Sequence, residues 1–268
     1  MNLTYKEYTP PPQLKPFVNC FWVMQSDGSS TELSPIQSCF SSGKVEWIIH
    51  AKGQNSLCFN DNGAMAFPSA FFTGINQRAT QYALYGQSEI FGIRLNPEAA
   101  MALFEMNLKC FCNGHIDADC LGKRDITDLN GLVKKAPNTE ERIVQVGAFL
   151  LKQFETRKAD QNFLIKALTI LQNEDSIEIK DLSRRLFVGE RQLQRRFQTE
   201  IGISPKSYFR VVRLYKAHQM GLENRYNFSD IAYFLGYSDP AHFSRDFKEY
   251  FGKSPAELFL GKTIKKIA

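Results

Sequence analysis

The chain repeats part of its own sequence near its C-terminal end. Residues 193–210 and 243–260 align at an offset of 50, and six of the aligned positions are identical. The segments just before them, 180–186 and 229–235, align at an offset of 49 and share an aspartate. Two copies at a fixed period predict a duplicated structural module rather than a long repeat array.

The second copy has the pattern of two short helices joined by a tight turn. Asn227 and Ser238 are predicted to cap the N-termini of the two helices, and Gly236 breaks the chain between them. Gly252 is the expected end of the second helix. Apolar residues at i, i+4 and i+8 predict the buried stripe of that helix: Phe243, Phe247 and Phe251. This pattern predicts a helix-turn-helix, whose second helix can lie in a major groove.

The first copy repeats this pattern with a different turn. Leu193, Phe197 and Ile201 form the apolar stripe of its second helix. Arginine and glutamine can each form paired hydrogen bonds to base edges, so the opposite face suits DNA recognition. The base-reading candidates of the first copy are Arg191, Gln194, Arg195 and Gln198. Those of the second copy are Ala241, His242 and Arg245, with Asp239 at the edge of the same face.

A helix from Ser207 to Leu222 is predicted to connect the copies. Its apolar residues occupy more than one face, which favours a helix packed against both copies and setting their separation. Several polar side chains on or near the two copies could contact phosphates, which adds affinity without sequence information. The phosphate candidates are Lys206, Ser207, Arg210 and Lys248, with Arg213 and Lys216 also available on the helix.

Residues 160–260 resemble the DNA-binding domain of AraC/XylS-type bacterial transcription regulators. The resemblance lies in Leu193-Gln-Arg-Arg-Phe197, Gly202-Ile-Ser-Pro205, Asp230-Ile-Ala-Tyr-Phe-Leu-Gly-Tyr237, His242-Phe-Ser-Arg-Asp-Phe-Lys248 and Gly252-Lys-Ser-Pro255. It implies an all-α, homeodomain-like domain in which a long helix joins two helix-turn-helix motifs. It also implies that Arg191, Gln194, Arg195, Ala241, His242 and Arg245 face the bases. Phe187 and Gly189 depart from the family pattern, which commonly has Gly and Ser at these positions.

Residues 1–156 are expected to form an α+β domain, a small antiparallel sheet or barrel plus helices. Short apolar runs separated by Gly and Asn turns predict the strands, whereas Tyr5 to Pro16 is expected to be irregular. One helix is predicted from Asn96-Pro97-Glu98 to about Leu108, and a second opens at Asn138 after a loop. Leu14–Trp22, Gly43–Trp47 and Phe91–Pro97 resemble the N-terminal domain of one branch of AraC-type regulators, whose role is not characterised.

Charge also divides the chain into two parts. Residues 157–268 carry a net charge of +7 and residues 1–156 a net charge of −2, within the total of +5. A basic half beside a mildly acidic half favours a phosphate-binding module attached to a domain that does not touch DNA. We therefore expect a sensory or oligomerisation domain at 1–156 and a DNA-binding domain at 157–268. The motifs are predicted at about 179–202 and 228–252, with the linker helix at about 204–222.

Six cysteines, all in the first half, raise an alternative. Cys110, Cys112, His115 and Cys120 are potential zinc ligands, but their spacing is unlike the usual structural zinc patterns. A cysteine that accepts alkyl groups from DNA would need a low pKa from a metal or a cationic neighbour, and neither is visible beside Cys20, Cys39 or Cys58. A regulator fused to a zinc-binding or alkyl-accepting domain therefore remains the second hypothesis. No catalytic motif stands out, and we expect a non-enzyme without a cofactor.

The sequence thus predicts a cytoplasmic transcription regulator that binds double-stranded DNA with two recognition helices. Free thiols in a reducing compartment are expected for the six cysteines. No run of eighteen apolar residues is present, which disfavours a membrane protein. A small-molecule effector and a contact with RNA polymerase are compatible with the pattern, as are a monomer and a homodimer. The operator, the effector and the choice between activation and repression carry no sequence signature.

Overall fold

The computed structural model describes residues 1–29, 31–53, 56–60, 63–105, 107–155, 163–223 and 225–260. The strands are β1 Leu3–Tyr8, β2 Val18–Asp27, β3 Gln37–Cys39, β4 Val45–Lys52, β5 Leu57–Asn60, β6 Gly63–Ala66, β7 Ala70–Thr73, β8 Thr80–Ala83, β9 Gln87–Leu95 and β10 His115–Asp117. The α-helices are α1 Pro97–Phe104, α2 Arg124–Lys135, α3 Thr139–Glu155, α4 Phe163–Asn173, α5 Ile179–Arg185, α6 Glu190–Arg196, α7 Pro205–Glu223, α8 Phe228–Phe234, α9 Pro240–Phe251 and α10 Pro255–Leu260. Short 3-10 turns lie at Pro12–Leu14, Leu108–Phe111 and Ala118–Leu121.

The strands form two antiparallel sheets, in the order β1-β2-β9-β4-β7-β10 and β3-β8-β5-β6. Strand β2 shows why the larger sheet is buried on both faces. Phe21 and Val23 point to the helical side, whereas Trp22 and Met24 belong to a second cluster with residues of the smaller sheet. Alternation along a strand sends successive side chains to opposite faces, so the expected sheet domain with helices is confirmed.

Helices α1 to α3 cover the helical side of the larger sheet. Trp47 of β4 is fully buried there, and its indole N–H donates to Asn130 Oδ1 of α2 at 3.0 Å. A buried indole needs such an acceptor, because an unpaired donor inside a protein costs free energy. This hydrogen bond connects α2 to β4.

Three local expectations for this domain are wrong. The segment from Tyr5 to Tyr8 is not irregular, because β1 pairs with β2 along its whole length and the prolines begin only after it. The region before Asn138 is not a simple loop, since it contains α2. Helix α1 ends at Phe104 rather than near Leu108, because Glu105 adopts a left-handed conformation with φ of +54°.

The C-terminal half consists of helices, and both repeat copies fold as predicted into two helices joined by a turn. The predicted stripe residues Leu193, Phe197 and Ile201 are fully buried in the first copy. The stripe of the second copy, at 243, 247 and 251, is buried to the same extent. The predicted boundary between residues 156 and 157 lies outside the described residues. Among the described residues, no helix combines the length and the apolar character needed to cross a membrane.

The two halves meet tightly at Gly43, in the loop between β3 and β4. The Gly43 carbonyl accepts hydrogen bonds from the hydroxyl of Tyr208 on α7 and from the side-chain amide of Gln172 on α4, both at 3.0 Å. Gly43 has φ of +75°, and a Cβ placed on it would lie 2.8 Å from a methyl carbon of Val212. Only glycine suits this position, because both the backbone conformation and the space exclude a side chain.

The same domain also contacts the second motif. The ring of Phe40 packs edge-on against Phe251, with 4.5 Å between the ring centroids. Its centroid lies 5.3 Å from that of the His218 ring on α7. Burial among these rings lowers the pKa of His218 to about 4, so the imidazole is uncharged at neutral pH. The buried clusters of the two halves join here into one core.

We predict that Gly43→Ala destabilises the protein by about 2–4 kcal/mol, the sum of left-handed strain and overpacking against Val212. Gly122→Ala is the matched control, because Gly122 also has positive φ but nothing lies within 4 Å of a built Cβ. The control should lose only about 1 kcal/mol. Urea denaturation of both variants measures the difference, and equal losses would show that Gly43 has room for a side chain.

Candidate nucleic-acid interface

The first motif presents the predicted polar face on α6. Leu193 is fully buried on the inner side of α6. The opposite side of the helix is exposed to solvent. The exposed side chains on that side are Arg191, Gln194 and Arg195. None of the three makes an ion pair or a side-chain hydrogen bond to another described residue. These three candidates are therefore brought together on one surface with free hydrogen-bonding groups.

Gln198, the fourth candidate of this copy, lies beyond the regular helix. The chain from Phe197 to Ile201 forms a wider π-helical turn that ends at Gly202, with φ of +93°. The side-chain amide of Gln198 donates to the Gly202 carbonyl at 3.2 Å. It is exposed, but part of its hydrogen-bonding capacity is used to close the helix.

The second motif presents Ala241, His242 and Arg245 on the exposed side of α9. The helix cap differs from the expectation, since Asp239 and not Ser238 caps α9. The carboxylate of Asp239 accepts from the His242 backbone N–H at 2.7 Å, which lowers the pKa of that carboxyl group. An aspartate at this position suits the partial positive charge of a helix N-terminus. The base-facing end of α9 is thus fixed by its own cap.

The phosphate candidates divide into free and engaged side chains. Lys206 and Lys248 are exposed. The Ser207 hydroxyl hydrogen bonds with that of Ser204, which caps α7. Arg210 pairs with Asp246 and Glu249, so it would have to leave these carboxylates to reach a phosphate.

Sequence reasoning missed the contacts that hold the second motif against α7. The Arg213 guanidinium lies 4.3 Å above the Tyr237 ring and donates to the Leu235 carbonyl at 3.1 Å. The Tyr237 hydroxyl donates to Asp246 at 2.6 Å, and Asp246 also pairs with Arg210. Arg213 thus connects α7 to the turn, and Arg210 connects α7 to α9. Lys216 is also engaged, since it contacts Asp175 at 2.7 Å.

The turn of the first motif contains an unusual residue, Phe187. Its φ is +53°, the left-handed conformation that its counterpart Gly236 adopts with φ of +71° in the second motif. Phe187 is 95% exposed, so no packing compensates for the conformation. A side chain in this region costs about 1–2 kcal/mol. The glycine at the equivalent position 236 of the second copy is the sequence signal for this constraint.

The cysteine-rich segment is not assembled into a metal site. No group of three or more His, Cys, Asp or Glu side chains in the described residues is placed to hold a metal ion, and this includes Cys110, Cys112, His115 and Cys120. His115 instead has its ring against Phe67 and Phe71. None of the six cysteines forms a disulfide, and Cys20 and Cys58 are the buried ones. Burial raises the pKa of the Cys58 and Cys112 thiols, the reverse of what an alkyl acceptor needs.

Comparison with known families agrees with this geometry. Residues 182–260 match a family described as a helix-turn-helix domain, and residues 6–117 match a domain of unknown function. The first match covers both repeat copies apart from residues 180 and 181. Residues 182–260 therefore carry a helix-turn-helix domain.

Curated relatives match about a third of this chain. The transcriptional regulator GbdR of Pseudomonas aeruginosa is 32% identical over 100 residues, covering 37% of this chain and 27% of GbdR. The transcriptional activator RhaS of Yersinia pestis is 33% identical over 97 residues, covering 35% of this chain and 36% of RhaS. The chain therefore spans about a third of the length of the curated relatives it matches.

One solved structure is similar over nearly the whole chain. An apo variant of ToxT from Vibrio cholerae aligns with a TM-score of 0.50 and 14% identity, covering 91% of this chain and 98% of ToxT. At this identity the similarity concerns the fold alone. The similarity supports the fold described above, a sheet domain followed by a helical domain.

We predict that Phe187→Gly stabilises the helix-turn-helix domain by about 1 kcal/mol, because glycine adopts the left-handed turn without strain. Phe187→Ala is the control, since it removes the ring but keeps the Cβ that causes the strain. Its stability should stay within about 0.5 kcal/mol of the original protein, as is usual for exposed positions. Thermal denaturation of the three proteins tests this order, and equal stabilisation by both substitutions would assign the cost to the ring.

Proposed function

We propose that the chain is a cytoplasmic, sequence-specific DNA-binding regulator of transcription. In this proposal α6 and α9 enter successive major grooves on one face of the duplex, about 34 Å apart. The observation that supports it most is the pairing of two exposed polar helix faces, each with a buried apolar stripe, across the single helix α7. One chain would then bind two half-sites, as dimeric helix-turn-helix proteins do with two chains.

The two recognition helices differ in chemistry, which favours an asymmetric DNA site. Helix α6 offers Arg191, Gln194 and Arg195, whose side chains can form paired hydrogen bonds with guanine or adenine. Helix α9 offers a single arginine, Arg245, beside His242. We therefore assign most of the direct base recognition to α6 and more of the positioning to α9.

Phosphate contacts would come from the basic surface around the helices. Lys206 and Lys248 are exposed and have no described ion-pair partner. In addition, Lys180 and Arg184 lie on the exposed side of α5, where Arg184 also pairs with Asp181. The first helix of such a motif crosses the DNA backbone. These cations fit the net charge of +7 that residues 157–268 carry. They would add affinity for any DNA sequence.

We assign residues 1–156 to a sensory or oligomerisation domain and residues 157–268 to DNA binding. The division is supported by the change in charge and by the strands, all of which lie in residues 1–156 among the described residues. A small-molecule effector, RNA polymerase and a second copy of the chain are the partners that such a domain could serve. The family match for residues 6–117 assigns no role to that domain.

Selection of binding sites from a pool of random duplexes tests the proposal. The purified chain should enrich one asymmetric site with two conserved blocks whose centres lie about 10 base pairs apart. Failure to enrich any sequence at moderate salt, with the folded state verified by circular dichroism, would exclude sequence-specific recognition.

We predict that Arg195→Ala weakens binding to the selected site by about 1–3 kcal/mol and relaxes the preference at one base pair. The cause is the loss of a paired hydrogen bond to a base edge. Titration of the selected duplex and of its single-base variants measures both effects. An equal loss on random DNA would instead assign Arg195 to a phosphate.

Lys206→Ala is the matched control, because Lys206 is also exposed but lies at the start of α7 rather than on a recognition helix. It should weaken binding to all sequences alike and lower the slope of log affinity against log salt by about one. A change in base preference in this variant would contradict its assignment to the backbone.

A further inference from the structure

The end of the first recognition helix rests directly on the N-terminal domain. Gly202, which follows the π-helical turn, faces the 3-10 turn Leu108–Phe111 and the residue after it. A Cβ built on Gly202 would lie 3.0 Å from the Cβ of Cys112 and 3.1 Å from the Cα of Lys109. The two segments therefore meet so closely that a side chain on Gly202 would push them apart.

The end of the second recognition helix is held by the same domain. The buried Tyr250 hydroxyl donates to the Ser41 carbonyl at 3.0 Å and lies 3.4 Å from the Asn76 carbonyl. In return, the backbone N–H of Ala79 donates to the Tyr250 carbonyl at 3.3 Å. The last carbonyls of a helix have no partner within the helix, so Ala79 supplies part of the cap of α9 from another domain.

The contact at Gly43 is made to α4 and α7. The N-terminal domain thus contacts the end of each recognition helix and the helix that joins them. Its own contact residues are tied together by the sheet and by the continuous core. The base-reading candidates are exposed, and they make no hydrogen bond to the described residues among 1–155. The contacts therefore restrain the position of each helix without covering the surface that would read DNA.

We propose that the N-terminal domain sets the spacing between the two half-sites that this protein accepts, with Gly202 and Tyr250 as positioning residues. The inference rests on the proposed function, two recognition helices bound to one duplex. Adding one base pair between the half-sites moves them apart by about 3.4 Å and rotates them by about 35°. Helix α7 and the contacts at Gly202 and Tyr250 must yield together to follow that change. A protein in which both recognition helices are held by the N-terminal domain should tolerate a changed half-site spacing less than one in which only one helix is held.

The repeat provides a matched pair of substitutions for the test. Gly202 and Gly252 are equivalent in the two copies, and both end a helix with positive φ. A Cβ on Gly252 meets nothing within 4 Å, whereas a Cβ on Gly202 meets the N-terminal domain. Alanine therefore strains both positions alike but displaces only the contact at Gly202. Tyr250→Phe, which removes the hydroxyl, is the second variant, with the exposed Tyr233→Phe as its control.

The full-length protein and its four variants are titrated with duplexes that carry the selected half-sites at the original spacing and with one or two base pairs added or removed. We expect the original protein, Gly252→Ala and Tyr233→Phe to lose about tenfold or more in affinity when one base pair is added. Gly202→Ala and Tyr250→Phe should lose less than about threefold on the same duplexes.

Spacing profiles that are identical for each variant and its control would overturn the inference, even if absolute affinities fall. Should Gly202→Ala fail to fold, Tyr250→Phe against Tyr233→Phe decides the matter alone, because the substitution leaves the buried ring in place. The proposed function fails separately, since it is lost only if the original protein selects no DNA site at all.

Discussion

The structure depends on one backbone carbonyl, that of Gly43. It accepts two hydrogen bonds from the helical half, one from α4 and one from α7, at a place where a side chain would not fit. A buried carbonyl with two donors is well satisfied, and losing either donor would leave a polar group without a partner. The sheet domain therefore binds the helical domain through its backbone, in one orientation, and the other contacts between the halves follow from that orientation.

The two motifs share a fold but are stabilised differently. The second has an aspartate cap, a glycine at the turn, and Arg210 and Arg213 behind it. The first has a glycine cap without a side-chain oxygen and a strained Phe187 at the turn. The motif with more base-reading candidates is thus the one with the weaker support from its own cap and turn.

Much of the helical half could be predicted from the sequence because its constraints are local. Stripes at helical spacing, caps and glycine breaks all lie within a few residues of the structure that they determine. Helix α2 was missed because it has no side-chain cap and begins with polar residues after Lys123. Strand β1 was missed because its structure depends on pairing with β2, and residues 3–8 alone do not show that pairing. The engaged state of Arg210 and the contacts at Gly43 join residues far apart in the chain, and no local pattern reports such pairs.

The cap that Ala79 provides for α9 has a consequence for how such proteins can be rearranged. A helix whose final carbonyl is satisfied within its own segment can be joined to a new neighbouring domain without loss. In a chimera, the carbonyl and the hydroxyl of Tyr250 would lose their hydrogen-bond partners Ala79 and Ser41. The surface at Gly202 would lose the segment that packs against it. A sheet domain grafted from a relative would leave these groups facing water or an unmatched surface. The two halves of this chain are therefore matched parts, and recombination or design has to exchange them together with their contact residues.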